Sequence, residues 1–218
     1  MVDTERTTLL VIRHGETIWN RQNRFQGHGD SPLTETGRAQ AQALGRRLAK
    51  TPIDSLICSD LGRAIETATI IADSTGHGLH TDQRLRERNF GVLEGLTGEE
   101  IRAGHQEVFE RLYADDPDYA PPKGESLRQH YLRNISFLEE FIAEHSGTAA
   151  LVVHGGVLDS LFRYIARMPL DRPRCFVIPN AGFNRLVLGR FYRTRRWVIE
   201  TWGDVSHLEG IKRHVGLG

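Results

Sequence analysis

Short apolar runs alternate with amphipathic stretches along most of the chain. Residues 8–13 place Leu9, Leu10, Val11 and Ile12 in succession and then stop abruptly at Arg13, His14 and Gly15. Such a run reads as a strand buried on both faces of a parallel sheet. Ser55-Leu56-Ile57-Cys58 repeats the pattern and ends at Ser59 and Asp60. Ala149–Val153 repeats it again and ends at His154, Gly155 and Gly156. Between the first two runs, Gly37, Ala41, Leu44 and Leu48 fall on one helical face, with Thr34 as its N-cap. A second helix opens after Asp60, carries Arg63, Glu66 and Thr67, and should stop near Gly76.

Residues 79–85 predict a third strand-like edge leading into Arg86–Gly91. Residues 99–113 predict a polar helix, and the proline-rich stretch 115–124 predicts a loop. A long amphipathic helix follows, with Leu127, Tyr131, Ile135, Leu138 and Ile142 on one face, and another runs from about Val157 to Ala166. Apolar runs at 175–178, 185–191 and 197–202 predict two or three more strands. Strand and helix in alternation imply an α/β fold, a mostly parallel sheet covered on both faces. No linker, solenoid repeat or low-complexity tract divides the chain, so residues 1–218 are expected to form a single domain.

Composition narrows the function classes. Lys+Arg and Asp+Glu are both 28, giving a formal net charge of zero. That balance argues against a basic nucleic-acid-binding surface. Cys58 and Cys175 form neither a metal-type CxxC nor a disulfide framework, which suits a reducing compartment. The N-terminal apolar run is too short for a membrane span and has no signal-peptide pattern. The expectation is a cytoplasmic protein with no membrane or nucleic-acid partner.

Residues just past the carboxyl ends of parallel strands face the ligand crevice of an open α/β sheet. Gly15 is expected to let the backbone turn sharply there. Charged groups collect at such positions: Arg13 with His14, Arg63, Glu87 and His154. Two arginines, two histidines and a carboxylate suit a phosphomonoester. Guanidinium groups fork onto phosphate oxygens. An imidazole can attack phosphorus and carry the phosphoryl group, and a second can donate to the equatorial oxygens. A carboxyl group can protonate the leaving alkoxide if its surroundings keep it protonated. The set needs no metal and no cofactor, and no HExxH or magnesium-type carboxylate cluster is evident.

These residues carry a resemblance. Leu-Val-Ile-Arg-His-Gly-Glu-Thr (residues 10–17) resembles the signature of the histidine phosphatase superfamily, in its phosphoglycerate mutase-like branch. Trp19-Asn20, Asp30–Thr34 with Gly37, Ser59–Ala68, Glu87–Gly95 and Val153–Gly156 agree in order, over roughly residues 8–190. The resemblance implies a three-layer α/β/α sandwich. It implies His14 as the phosphorylated nucleophile, Arg13, Arg63 and His154 as the phosphate pocket, and Glu87 as proton donor. It implies Asn20, Gln26, Gly27 and Gly155 as phosphate- or substrate-binding residues, and residues 99–126 as a substrate cap. Its members include monomers and homodimers.

Within the family, His28 stands where mutases carry a tryptophan, and residues 110–117 lack the mutases' double arginine. Both departures favour a phosphatase acting on a small phosphorylated metabolite. A cofactor-dependent phosphoglycerate mutase is the alternative, and a non-catalytic phospholigand-binding protein a third. Phe183 departs from the usual small residue and is expected to reshape the pocket. Bland readings stand beside these. Glu87 lies among Arg84, Arg86 and Arg88 and could be a surface ion pair. His207 is weighed evenly between the substrate mouth and background. His28, His77, His80, His105, His130, His145 and His214 show no partner pattern and read as background.

Overall fold

Residue alternation along the first strand already builds the layers. The computed structural model describes residues 6–114 and 116–211. In β1 (Thr7–Arg13), Leu10 and Ile12 point to one face and Leu9 and Val11 to the other, all four fully buried. A strand can be apolar at every position only if helices cover both faces.

On the Leu10 and Ile12 face lie α2 (Glu35–Leu48) and α3 (Gly62–Thr75), packing Leu44, Leu48, Ala64, Ala68 and Ile71. On the opposite face lie α6 (Leu127–Glu144) and α7 (Gly155–Ala166), packing Ile135, Leu138, Val157, Leu158 and Leu161. The result is the three-layer α/β/α arrangement.

The sheet also contains β2 (Ser55–Cys58), β3 (Leu79–Thr81), β4 (Gly147–Val153), β5 (Phe183–Phe191) and β6 (Thr194–Asp204). Its strand order is β3-β2-β4-β1-β5-β6. The four strands from β3 to β1 are parallel, and β5 and β6 join antiparallel. Register sets the site: Arg13 pairs with Val153 across β1 and β4. The residues that follow, His14 and His154, therefore emerge side by side at the carboxyl edge. His14 N donates to Val153 O at 2.9 Å and closes that edge.

Several sequence expectations are corrected. The loop after β1 contains a short helix, α1 (Ile18–Arg21), closed by a capping box between Thr17 and Asn20. The predicted helix 99–113 is two helices, α4 (Gly98–Gly104) and α5 (Gln106–Leu112), interrupted at His105. Residues 79–85 form only the three-residue β3 and then a 3-10 turn at Gln83–Leu85. The run 175–178 is no strand. Pro173 and Pro179 flank it and lack ladder donors, and Phe176 packs instead between Phe162 and Trp202. Asp115, at the start of the proline-rich loop, and His214 lie outside the described residues.

Gly15 makes no sharp turn. Its backbone angle is not left-handed. A side chain there would meet Gly37 O at 2.5 Å, so the glycine permits close approach of the β1 loop to α2. Phe183 does not reach the pocket. It is buried in the core, with the Arg47 guanidinium 3.9 Å above its ring.

Candidate active site

The crevice begins with two imidazoles, His14 after β1 and His154 after β4, whose ring centroids are 5.2 Å apart. Both are buried. His14 Nδ1 lies 2.8 Å from the carbonyl oxygen of Gly15. A carbonyl only accepts, so Nδ1 carries the proton and Nε2 keeps its lone pair. Burial pushes His14 well below the ordinary histidine value, and the Arg63 and Arg13 guanidiniums push it further. The ring is thus neutral at physiological pH with a basic nitrogen available. His154 differs: neither ring nitrogen has a hydrogen-bond partner among the described residues. Burial and the Arg63 charge also hold it well below the usual value.

Two guanidiniums supply positive charge. Arg63 is buried in the first turn of α3. Its Nη1 donates to Gly29 O at 2.9 Å and its Nη2 to Gly27 O at 2.8 Å. Asp30 Oδ1 accepts from the Arg63 amide at 3.2 Å and pairs with its Nη1 at 3.4 Å. Arg13 donates through Nη1 to Ile178 O. Its Nε and that of Arg63 have no partner among the described residues. Burial lowers the Arg13 pKa to about 10, so it remains cationic at neutral pH. His154 also precedes α7, whose N-terminal amides favour an anion.

Glu87 is not a surface ion pair. Its neighbours bind elsewhere: Arg84 to Asp82 and Glu140, Arg86 to Asp60, and Arg88 to the carbonyls of Glu125 and Tyr119. Glu87 Oε2 instead accepts from Gly156 N at 3.1 Å and Oε1 from Arg88 N at 2.8 Å. A side chain at Gly155 would sit 3.8 Å from both the Arg13 guanidinium and Glu87 Oε2, which places this glycine between the cation and the carboxylate.

The expectation that surroundings keep Glu87 protonated is corrected for the resting site. Burial raises its pKa, but the His130 ring, the Gly156 and Arg88 amides and the Arg63 charge together bring it below the ordinary value. The resting group is a carboxylate. An arriving phosphate dianion would add negative charge beside it and raise its affinity for a proton.

The remaining expected residues hold the walls. Asn20 Oδ1 accepts from Thr17 N and from Asn180 Nδ2, both at 3.1 Å. Gln26 is buried, and its Oε1 accepts from the Thr17 hydroxyl at 3.0 Å. Gly27 contributes the carbonyl that holds Arg63. His207 lies behind the site: its Nε2 donates to Ala181 O at 3.0 Å, and Arg47 stands 3.2 Å from its other nitrogen.

Four contributors were not identified from sequence. Asn180 Nδ2 donates to His14 O at 3.1 Å and links that loop to Asn20. His28 Nε2 donates to Glu87 O at 3.0 Å. Arg133 donates to the carbonyls of Arg84, Arg86 and Glu87 and pairs with Glu125. His130, fully buried, stands 3.8 Å from Glu87 Oε1. Only helical spacing could have signalled the last: His130 and Asn134 share the buried side of α6. No group of three or more His, Cys, Asp or Glu that could hold a metal occurs among the described residues.

Comparison with known proteins places this geometry in context. The family model described as the histidine phosphatase superfamily, branch 1, matches residues 9–205. Phosphoglycerate mutase-like protein 4 of Arabidopsis thaliana is 38% identical over 211 residues, 95% of this chain and 89% of that protein. The structure of Bacillus stearothermophilus YhfR superposes with a TM-score of 0.84 at 34% identity, covering 93% of this chain and 100% of that one. A mycobacterial glucosyl-3-phosphoglycerate phosphatase, solved in complex with VO3, superposes with a TM-score of 0.80 at 29% identity, covering 91% and 99% of the two chains.

Proposed function

The chain belongs to branch 1 of the histidine phosphatase superfamily, and from that premise we propose that it is a metal-independent phosphomonoesterase working through a phosphohistidine on His14. The observation that carries this reading is the fixed tautomer of His14, with Nδ1–H tied to Gly15 O and Nε2 free in a cationic crevice.

Arg13 and Arg63 receive the phosphoryl oxygens, and the α7 N-terminus adds partial positive charge. The Nε2 lone pair attacks phosphorus. The N–P bond forms as the P–O bond to the leaving group breaks, and Glu87 gives the departing oxygen its proton. His154, unbonded to protein, can donate one N–H to the equatorial oxygens where charge spreads. In the second half a water attacks the phosphohistidine. Its proton passes to Glu87, the N–P bond breaks, and phosphate leaves.

Water as the acceptor is supported by His28, whose ring hydrogen-bonds the Glu87 carbonyl where mutases carry a tryptophan. The substrate is a small phosphorylated metabolite in the cytoplasm. Residues 99–126 form its cap, held through the Arg24–Glu100 ion pair at 2.6 Å and the Arg88–Tyr119 bond at 3.1 Å. The described residues include no helix long and apolar enough to cross a membrane. A mutase reading is kept because the Arabidopsis relative carries that name.

Phosphate release from a panel of phosphomonoesters in EDTA, including 3-phosphoglycerate, with His14→Ala alongside, separates these readings. Release that survives EDTA and vanishes in the variant is the expected result. Interconversion of phosphoglycerates with little free phosphate would instead establish the mutase. Binding without either reaction would overturn both.

A further inference from the structure

Glu87 poses a problem that the phosphatase reading leaves open: its resting form is a carboxylate, yet it must deliver a proton. The structure around it holds a second proton-binding group. His130 comes from α6 and is fully buried, with Nε2 3.8 Å from Glu87 Oε1. Its side of α6 is polar where the other buried positions are apolar. Asn134, one turn on, sits 3.1 Å from His130 Nε2 and donates to Ser160 Oγ at 3.0 Å. Ser160 donates to Gly156 O at 3.0 Å. Gly156 N donates to Glu87 Oε2, which closes the circuit. The fit is tight, because a side chain at Gly156 would meet His130 Cε1 at 2.8 Å and Glu87 as well. The ring is held in place as well as packed, for His130 Nε2 also lies 3.3 Å from the Arg86 carbonyl oxygen, one residue before the acid.

We propose that His130 is the positioning residue of the acid: it shares the leaving-group proton with Glu87, so that once a phosphate dianion is bound the pair, rather than the carboxyl group alone, holds that proton at neutral pH. The proposal rests on the reading of Glu87 as proton donor. Two titratable groups this close bind protons as a pair. Burial opposes a proton on His130 and, with Arg133, keeps the ring below its ordinary value in the resting site, while Glu87 and Glu125 favour the proton. The Arg13 and Arg63 guanidiniums interact with the Glu87 carboxylate and partly balance it, and the His154 ring, held well below its ordinary value by burial, adds no charge. When a phosphate dianion enters, its charge favours uptake of one proton from solvent by the pair. On P–O cleavage the Glu87 O–H bond breaks and the leaving oxygen gains that proton. If the proton rested on His130, it crosses to Glu87 in the same step. Attack by water later returns one proton to the pair.

The test compares an alkyl phosphate, which needs the proton, with p-nitrophenyl phosphate, which needs it far less. kcat, whose pH dependence reports the substrate complex in which the pair holds the proton, is measured against pH for the wild type, His130→Leu, His130→Gln and Glu87→Gln. In His130→Leu the alkaline limb for the alkyl phosphate should move to lower pH by about one unit, an activity loss of about tenfold at neutral pH. The loss on p-nitrophenyl phosphate should be much smaller. His130→Gln keeps the polar contacts but cannot hold a proton, so it should show the same shifted limb. Equal losses on both substrates with unmoved limbs would reduce His130 to packing and overturn the proposal. Equal losses in Glu87→Gln would instead overturn the donor role of Glu87. Should the variants not fold, the His130 ring resonance is titrated in the wild type with and without inorganic phosphate. Its midpoint should rise when phosphate binds, and an unmoved midpoint would refute proton sharing.

Discussion

β1 and β4 lie side by side in register and each delivers a buried histidine to the same crevice, yet the two rings are held differently. His14 is fixed through Nδ1 to the Gly15 carbonyl, so its remaining nitrogen has one chemical character. His154 makes no hydrogen bond to protein among the described residues, so either nitrogen can turn a proton toward an incoming oxygen. Similar strands and similar burial therefore supply different groups: a ring with its tautomer set, which the proposed mechanism uses as nucleophile, and a ring with no partner, which it uses as donor. The role of each ring is decided by the partner of its second nitrogen, not by the strand that carries it.

Substitution breaks this comparison most sharply at His14. His14→Ala should abolish phosphate release while the protein stays folded, as read by turnover and circular dichroism. His154→Ala should be milder, lowering kcat by about 10²–10³-fold, the usual effect of losing one donor to a developing oxyanion. If the two variants lost equal activity, the division of roles would fail.

Acid offers a third test. His14, His154 and His130 all have folded-state pKa values held below those of the unfolded chain, and burial is the first cause in each. Below pH 6.5 the unfolded chain therefore binds protons that the folded chain refuses. Stability present at pH 7 is lost as pH falls from about 6.5 toward the folded values. His130, lowered chiefly by burial, contributes to this loss in the same direction. Urea midpoints at pH 7 and pH 4.5 measure it, and His130→Gln should flatten the dependence. A smaller effect is expected at Asn180, which bonds His14 O and Asn20 Oδ1 but neither imidazole. Asn180→Ala should lower kcat by about tenfold, the loss of one positioning hydrogen bond, and leave the histidine titrations unmoved.

Much of this was legible in the sequence where one local pattern suffices. Leu9–Ile12, Leu56–Cys58 and Ala149–Val153 each announce a buried strand and stop at a functional group, so His14 and His154 could be placed before their contacts were known. Glycine was legible as a requirement but not in its cause: Gly15 serves contact with Gly37, and Gly156 makes room for Glu87 and His130. The apolar face of α6 was legible, since Ile135 and Leu138 are buried and Tyr131 and Ile142 pack against the same cluster, but apolar periodicity did not extend it to His130 and Asn134, which are fully buried. A polar residue joins a core when its partners come from other elements, here Glu87 and Ser160, and no spacing within one helix reveals them. The run 175–178 misled for a related reason: Phe176 packs against aromatics from other elements while the carbonyls of Val177 and Ile178 hold Trp202 and Arg13.

The central claim is that His14, and not His154, carries the phosphoryl group. Rapid alkaline quenching of the enzyme with a radiolabelled phosphomonoester in EDTA, followed by peptide mapping, addresses it directly. The expected result is an acid-labile, base-stable label on the peptide containing His14, absent from His14→Ala and still formed in His154→Ala. A label on His154, or turnover with no labelled histidine at any time, would contradict it.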